Sequence, residues 1–484
     1  MSYTNSIPAA ERANFQSIAD WSTYYQQFRQ NFYVQYPHGD FTQVILTLEK
    51  KIFPSNVHIT GDIDCSIEFI HCYFEGEVVF YDVKVKKSIM YRQCFCDKEL
   101  RIMKTSTFEA EFNITDFSAK SQVYVEGGNF QTCRWSFIDN GTVKINGGSY
   151  KQLNLGYWGG GCQLKELSFH FPEVTGLIKV TGDKSFIERL TLFQFSSELA
   201  LAIEDISVNC ISIYRFRNEK AFRIFNIKSK KGEKLTEFAI AESYLGKAEF
   251  YSIDFTSFDN VYFTDVHFTE CSFVGIQWKY DIDSFKGRGI GKSPKEEKLP
   301  AKIAKIKNEL KEDYNEISIL KNDPDVIEYF SKQREVYRQL KFANEKQGDI
   351  INGQIFHSKE MIAYNRTLSF ETSPWTKAII KMSYWFSDFG QSFIKPILWL
   401  LVGHWILLQV LIACQHFPGL TINLGDPNLE GFKEAFIQYF KLINPLRRAE
   451  NTFEGYQIII DLAMRIWSSY MIYNIIRATR RFIK

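Results

Sequence analysis

A period of about 22 residues runs through the first half of this chain and limits the folds it can adopt. Between about residues 55 and 280, apolar residues alternate with polar ones, which is typical of β-strands. The successive apolar strand starts are 21, 22, 23, 20 and 24 residues apart, at Val57, Val78, Leu100, Val123, Val143 and Leu167. A fixed period is typical of the coils of a parallel β-solenoid, whereas the alternative, an antiparallel sandwich, requires none. The sequence therefore predicts a parallel β-solenoid over residues 51–280.

A short sequence pattern with glycine at its fifth position recurs in this region. The pattern reads VHITGD, VYVEGG, VKINGG and IKVTGD at residues 57–62, 123–128, 143–148 and 178–183. Glycine adopts positive φ angles and leaves room for a close backbone approach. We therefore expect these glycines at the corners where one side of a coil turns into the next.

The end of this region follows a shorter period of five residues. Phe258, Phe263, Phe268 and Phe273 recur at that spacing, and the residues two positions before them are Thr256, Val261, Val266 and Cys271. This stretch of about 20 residues resembles the pentapeptide-repeat family, a quadrilateral β-helix. The resemblance implies that both columns face the interior of the coils.

Helical spacing precedes the solenoid. Five apolar residues recur every three or four positions, which predicts a helical N-terminal cap over residues 1–50; they are Phe15, Ile18, Trp21, Tyr25 and Phe28. The first 16 residues show no apolar stretch of the kind that a signal peptide has. We therefore expect the solenoid to lie in the cytoplasm.

Composition and motifs argue against several classes of function. A net charge of +2 makes nucleic acid an unlikely partner. The nine cysteines are odd in number and scattered, so no disulfide framework is expected. Cys94 and Cys96 share one strand face, but no His or second Cys pair lies nearby in sequence, so we predict no metal site.

Catalytic motifs are missing as well. The sequence contains no phosphate-binding loop, zinc-protease helix or nucleophile elbow, and the glycines at 159–161 are expected to form a tight corner. Some β-solenoids cleave polysaccharides, but the expected cytoplasmic location argues against that alternative. We therefore expect neither an enzyme nor a cofactor.

Two segments separate the solenoid from the C-terminal region. Residues 281–325 are rich in charge, Gly and Pro, which predicts a solvated linker or an exposed helix; its lysines could contact anionic lipid or nucleic acid. Residues 326–370 read as two helices separated at Gly348, which predicts a cytoplasmic αα-hairpin.

Residues 371–484 are expected to form a membrane domain. Residues 396–414 contain no Asp, Glu, Lys or Arg and are long enough to span a bilayer. A short helix is predicted over 429–442 and a second span over 456–476. Before the first span, Trp375, Ile379, Met382, Phe386 and Phe389 form an apolar stripe, which predicts an interfacial helix or, alternatively, a helix packed on the hairpin.

Basic residues flank both spans on one side. Lys377, Lys381 and Lys395 precede the first span, and Arg477, Arg480, Arg481 and Lys484 follow the second. The positive-inside rule then places both termini in the cytoplasm. The candidate membrane-anchoring residues are Trp375, Lys377, Lys381, Arg477, Arg480 and Arg481.

Asp461 and Arg465 are the most informative polar residues, because they lie within the second predicted span. They are four residues apart and share a helix face. An ionisable group at bilayer depth costs roughly 3 kcal/mol and usually faces a bundle interior or water. Two spans cannot enclose an interior, so we expect a homo-oligomer with the second span inside. Lining of a pore, a packing ion pair and an amphipathic helix that does not span remain alternatives; Asn474 is a weaker candidate for the same roles.

The C-terminal region is similar to bacterial membrane-bound pentapeptide-repeat proteins that end in an ion-channel-like two-helix module. The similarity lies in the hairpin sequence YRQLKFANEKQGDIINGQIFHSKEMIAYNR, in AFIQYFKLINPL and in the terminal RATRRF, over about 150 residues. It implies an α+β multidomain protein of the bacterial inner membrane: a parallel β-solenoid, an α-helical hairpin and a two-span transmembrane helical domain. A potassium filter is not implied, because Phe440-Lys441-Leu442-Ile443-Asn444-Pro445 occupies its place.

Three functions follow as hypotheses. The first is a membrane effector, in which a protein or ligand that binds the solenoid controls an oligomeric pore or disrupts the bilayer; by analogy, such an effector would serve bacterial anti-phage defence. The second is a membrane-tethered scaffold that docks a protein partner without conducting ions. The third is a gated channel of ordinary physiology.

Overall fold

The computed structural model describes residues 12–156, 162–170, 174–182, 185–193, 199–217, 220–230, 235–283, 323–368, 373–413, 436–437, 439–447 and 455–480. The chain divides into two compact units, Met1–Ser293 and Pro294–Lys484. Almost all of the predicted linker over 281–325 lies outside the described residues, and so do the glycines at 159–161, Cys414 and Arg481.

The first unit is a parallel β-solenoid of about nine turns, as the period predicts. Its described residues contain 24 strands. In chain order the strands are Gln16–Ser17, Ile45–Glu49, Lys51–Phe53, Val57–Ile63, Ser66–Ile70, Tyr73–Phe74, Val78–Val85, Ile89–Arg92, Phe95–Cys96, Glu99–Ile102, Thr107–Ala119, Gln122–Val125, Asn129–Ile145, Gly148–Leu155, Cys162–His170, Val174–Thr181, Phe186–Phe193, Leu199–Glu204, Ser207–Tyr214, Phe222–Phe225, Glu237–Tyr244, Glu249–Tyr251, Asn260–His267 and Ser272–Val274.

The predicted strand starts are register partners in successive coils. Val57 pairs with Val78, Val78 with Leu100 and Leu100 with Val123, and the same column continues through Val143 to Leu167. All six side chains are buried. The steps of 20 to 24 residues are therefore the lengths of single coils.

Stacked rings fill the interior and account for the abundance of Phe. Phe108, Phe130 and Tyr150 lie in successive coils with ring centroids 4.9 and 4.7 Å apart and planes within 8°. Neighbouring strands are about 4.8 Å apart, so in-register aromatic residues stack without distortion. In these three coils the interior packing thus repeats from one coil to the next.

Corners of the coils use left-handed backbone conformations. Gly61, Gly128, Gly148 and Gly182 have φ angles of 72°, 123°, 114° and 134°, which confirms that they occupy such positions. Residues other than glycine also build corners: a column of positive φ angles near 52° runs through Lys50, His71, Gln93 and Asp116. Each of the first three donates its backbone N–H to a carbonyl of the next coil at 2.9–3.0 Å.

The five-residue column is only partly as expected. Phe258, Phe263, Phe268 and Phe273 are all buried, and three of the four residues two positions earlier are buried as well. Thr256 is exposed, because its backbone N–H and hydroxyl bind the Asp254 carboxylate at 2.9 and 2.6 Å. The neighbouring Phe255 takes the inward position instead.

The N-terminal cap is shorter than predicted. Helix α1 covers Trp21–Gln35, and Trp21 and Tyr25 are buried against the first coils. The prediction of helix is wrong for residues 45–49, because their alternating exposure places them in the strand Ile45–Glu49. Phe15 and Ile18 also precede the helix rather than belonging to it.

The cysteines behave as small apolar residues. All eight that the structure describes are free thiols, and only Cys210 is not fully buried. Burial raises the pKa of Cys96 to about 12, which keeps the thiol protonated. No group of His, Cys, Asp and Glu that could hold a metal ion occurs among the described residues.

The second unit is helical. Its helices are α2 Pro324–Lys346, α3 Ile350–Thr367, α4 Pro374–Ser387, α5 Ile394–Ala413 and α6 Tyr456–Arg480. Helices α2 and α3 form the predicted hairpin, with Gly348 at φ 83° between them. Part of the predicted short helix is described, and residues 439–443 are helical.

Candidate functional site: a polar seam between two helices

Helices α5 and α6 pack antiparallel along a seam. Gly403 meets Trp467, and further along α5 Leu408 and Leu411 join a cluster with Met464, which is earlier in α6. The buried positions of α6 recur every three or four residues; they are Asp461, Met464, Ser468, Met471, Asn474 and Ala478. Half of these are polar, which is unusual for the buried face of a helix.

The exposed faces of the same helices are apolar. Between 396 and 411, every exposed side chain of α5 is apolar or Trp, and between 456 and 476, no exposed position of α6 carries a charge. Leu398, Ile406, Ile459 and Ile466 are each more than half exposed. The exposed surface of the pair is therefore largely apolar and its interior partly polar, whereas a water-soluble helix pair exposes its polar face and buries its apolar one.

One helix among the described residues is long and apolar enough to cross a membrane, over residues Ile394–Leu411. Only 28% of that stretch is buried by the rest of the described chain. Helix α6 is long enough but is not apolar enough to meet the same criterion. The Asp461 and Arg465 charges lie within it.

Asp461 is held between two arginines of its own chain. Arg465 Nε donates to Asp461 Oδ2 at 2.8 Å, and Arg447 binds the other carboxylate oxygen. The second guanidinium is further fixed because Arg465 Nη1 donates to the Arg447 carbonyl at 2.8 Å. Arg447 and Asp461 side chains are each about nine-tenths buried. The cluster ties Arg447, in the segment that connects the two helices, to the second turn of helix α6.

Two further contacts join helix α5 to helix α6. His404 and Ser468 are both fully buried, and the His404 Nε2 atom hydrogen-bonds the Ser468 hydroxyl. Trp467 Nε1 donates to the Trp399 carbonyl at 3.1 Å and lies against Gly403, where a Cβ atom would be 2.3 Å from that nitrogen. Gly403 is therefore required for the close approach of the two helices.

Asn474 makes its side-chain hydrogen bond within its own helix. It is buried, and its Nδ2 donates to the Tyr470 carbonyl of its own helix at 2.8 Å. The side-chain donor is thus satisfied one turn away, without a partner on α5.

The candidate anchoring residues differ in how exposed they are. Trp375 is 81% exposed and Lys381 is exposed as well, so both are accessible to a membrane surface. Lys377 is buried and its Nζ donates to the Leu368 carbonyl, which fixes it to the end of α3. Arg477 packs against Gly390. Arg480 ends helix α6, and Arg481 lies beyond the described part of the chain.

Sequence reasoning located Asp461 and Arg465 but missed Arg447, His404 and Ser468. A polar residue in the charge-free run over 396–414 was the available signal for His404. Arg447 offers no such signal, because it meets Asp461 across 14 residues of the chain.

Comparisons with protein-family models, curated proteins and solved structures return no match for this chain.

Proposed function

We propose that this chain is a bacterial membrane effector whose solenoid binds a partner and whose C-terminal helices act on the bilayer. The observation that carries the proposal is the reversed polarity of α5 and α6. Their exposed surface is apolar where bilayer hydrocarbon would cover it, whereas His404, Asp461, Ser468 and Asn474 are buried. On this proposal both helices span the membrane, α4 lies at its surface and both termini are cytoplasmic.

The polar seam supports an active role rather than passive anchoring. An anchor needs only apolar contacts between its helices, and buried ionisable groups at bilayer depth are costly. Asp461 and His404 would nevertheless occupy such positions, and Ser468 adds a buried hydroxyl. Because these groups are polar, the interface between α5 and α6 can take up water when the two helices separate. In an oligomer the hydrated seams would form a nonselective pore.

The second candidate function is a membrane-tethered scaffold. The ion-pair geometry favours it, because both Asp461 oxygens bind arginines of the same chain. In that arrangement the charges are satisfied without an oligomer, and no hydrated path is needed. The solenoid would then dock a protein partner next to the membrane.

Leakage of ions or dye from liposomes that contain the purified full-length protein tests the first candidate. We expect a defined oligomer in detergent, and leakage that the double variant Asp461→Ala and Arg465→Ala abolishes. The control is Glu335→Ala with Arg338→Ala, which removes an exposed ion pair of 2.6 Å from helix α2. Tight liposomes with folded, monomeric wild-type protein would contradict the pore and favour the scaffold.

A further inference from the structure

The turn between helices α4 and α5 holds three consecutive residues in the left-handed region. Asp388, Phe389 and Gly390 have φ angles of 51°, 56° and 86°. Two of them are not glycine, and such residues persist only where the surroundings fix them. Phe389 is buried, and the Ser387 hydroxyl accepts the Gly390 N–H at 3.1 Å. The turn is thus a rigid, strained element rather than a simple connection.

Contacts from three directions fix this turn. On the hairpin side, Gln391 Nε2 donates to the Gln354 carbonyl of helix α3 at 2.6 Å. On the other side, Gly390 lies against Arg477 of α6, so close that a Cβ atom would be 3.1 Å from Arg477 Nε. Asp388 lies 3.8 Å from Lys395 at the start of α5. Residues 388–391 therefore contact the hairpin and both helices of the seam.

We propose that residues 388–391 couple the αα-hairpin to the α5–α6 pair, so that a displacement of the hairpin changes the packing of that pair. Helix α3 packs against the turn and α4, and the turn packs against α6. A left-handed turn of this kind has few alternative conformations, so it transmits a displacement instead of absorbing it. The inference rests on the proposed function only for what the coupling controls; the coupling itself needs no pore.

Hydrogen exchange of the full-length protein in lipid nanodiscs tests the coupling. Phe356→Leu loosens the hairpin core, because Phe356 is fully buried and stacks on Tyr337. We expect this variant to speed the exchange of amides 473–480 about tenfold. In a Gln391→Glu background the carboxylate cannot donate to the Gln354 carbonyl, so this link between the turn and the hairpin is lost. In that background Phe356→Leu should no longer affect amides 473–480. The proposal would be overturned if Phe356→Leu left the exchange of amides 473–480 unchanged in the wild-type background, or sped it equally in both backgrounds.

A glycine pair provides the matched control. Gly390→Ala forces a Cβ atom against Arg477, whereas Gly348→Ala has a similar φ of 83° and nothing within 4 Å. We expect Gly390→Ala to speed exchange in both α3 and the end of α6, and Gly348→Ala to do so only near the hairpin tip. Equal patterns for the two variants would contradict the coupling. Leakage is measured separately, so tight liposomes would refute the pore while these exchange results still decide the coupling.

Discussion

Asp461 accepts hydrogen bonds from two guanidinium groups, those of Arg447 and Arg465. The side chains of Asp461 and Arg447 are each about 10% exposed and that of Arg465 is 23% exposed, so the cluster is largely shielded from water. Removing one partner of a buried ion pair leaves the other charge uncompensated. Removing one partner of this cluster should therefore cost more stability than removing one partner of an ion pair at the surface.

Asp461→Asn should destabilise the module by about 3 kcal/mol, because both arginines lose their counter-charge. The loss can be measured as a shift in unfolding by SDS, followed by tryptophan fluorescence. Asp388→Asn is the control: its pair with Lys395 spans 3.8 Å and is partly exposed. That variant should cost less than about 1 kcal/mol. Equal losses for the two variants would show that the Asp461 cluster adds no stability.

Glu360 predicts a pH dependence of the hairpin. Burial alone would raise the pKa of this carboxyl, but His357 and Lys341 together hold it below the ordinary value of 4.5. The charged form therefore stabilises the fold above pH 4.5, and this contribution is lost as the pH falls through the lowered pKa. Thermal unfolding of full-length protein across acidic pH should show the loss, and Glu360→Gln should reduce its steepness. An unchanged profile in that variant would assign the dependence to other groups.

Individual residues were predictable where the partner is near in sequence. The spacing of four residues in Asp461 and Arg465 predicted a shared helix face, and the two side chains do pair. The alternative of pore lining in an oligomer stays a prediction. Arg447 could not be assigned, because spacing along a helix says nothing about a residue beyond the helix end. Lys377 shows the same limit: its burial depends on where residue 368 ends the preceding helix.

At the level of elements, the coils of the solenoid depend on how closely corners of neighbouring turns approach. Gly176 has a φ of 103°, and a Cβ atom there would be 1.6 Å from the Tyr150 carbonyl oxygen. Gly61 has a φ of 72° with nothing within 4 Å. The two positions share backbone strain and differ in the space available.

Gly176→Ala should therefore destabilise the solenoid by about 3 kcal/mol, since the strand of the preceding coil must move. Gly61→Ala should cost about 1 kcal/mol, which is the strain of a left-handed alanine alone. Urea unfolding followed by the β-sheet circular dichroism band separates the two. If Gly61→Ala costs as much as Gly176→Ala, the close approach to Tyr150 has no energetic weight.

Strands were easier to predict than corners. Alternation and a fixed period depend only on which side chains are apolar, so the column from Val57 to Leu167 could be predicted in register. Corners such as His71 and Gln93 depend on hydrogen bonds to the next coil, which no local pattern encodes. The same reason explains why the helical cap was extended over residues that form the first strand.

On the scale of the whole molecule, the two units present opposite surfaces. The coils of the first unit bury apolar columns, whereas helices α5 and α6 of the second expose them. One surface suits water and the other suits hydrocarbon. A second span through α6 is part of the proposal, because α6 is less apolar than α5 and carries the Asp461 and Arg465 charges.

Residues 1–293 expressed alone should be water-soluble and rich in β-structure, because the coils form a compact unit without the remainder. Residues 294–484 should remain soluble only in detergent or lipid. Sedimentation with and without detergent, together with circular dichroism, measures both. A detergent-free, monodisperse second fragment would contradict a membrane location for α5 and α6.

The stacking of aromatic rings in register has a consequence for how this protein can change over evolutionary time. A duplication or loss of one full coil joins two equivalent corners and keeps the following strands in register with the coils before them. A gain or loss of a single residue within a strand turns all following side chains of that strand to the opposite face. Related chains should therefore differ in length by whole coils, whose register partners here are 20 to 27 residues apart, and the length of the solenoid should vary in discrete steps.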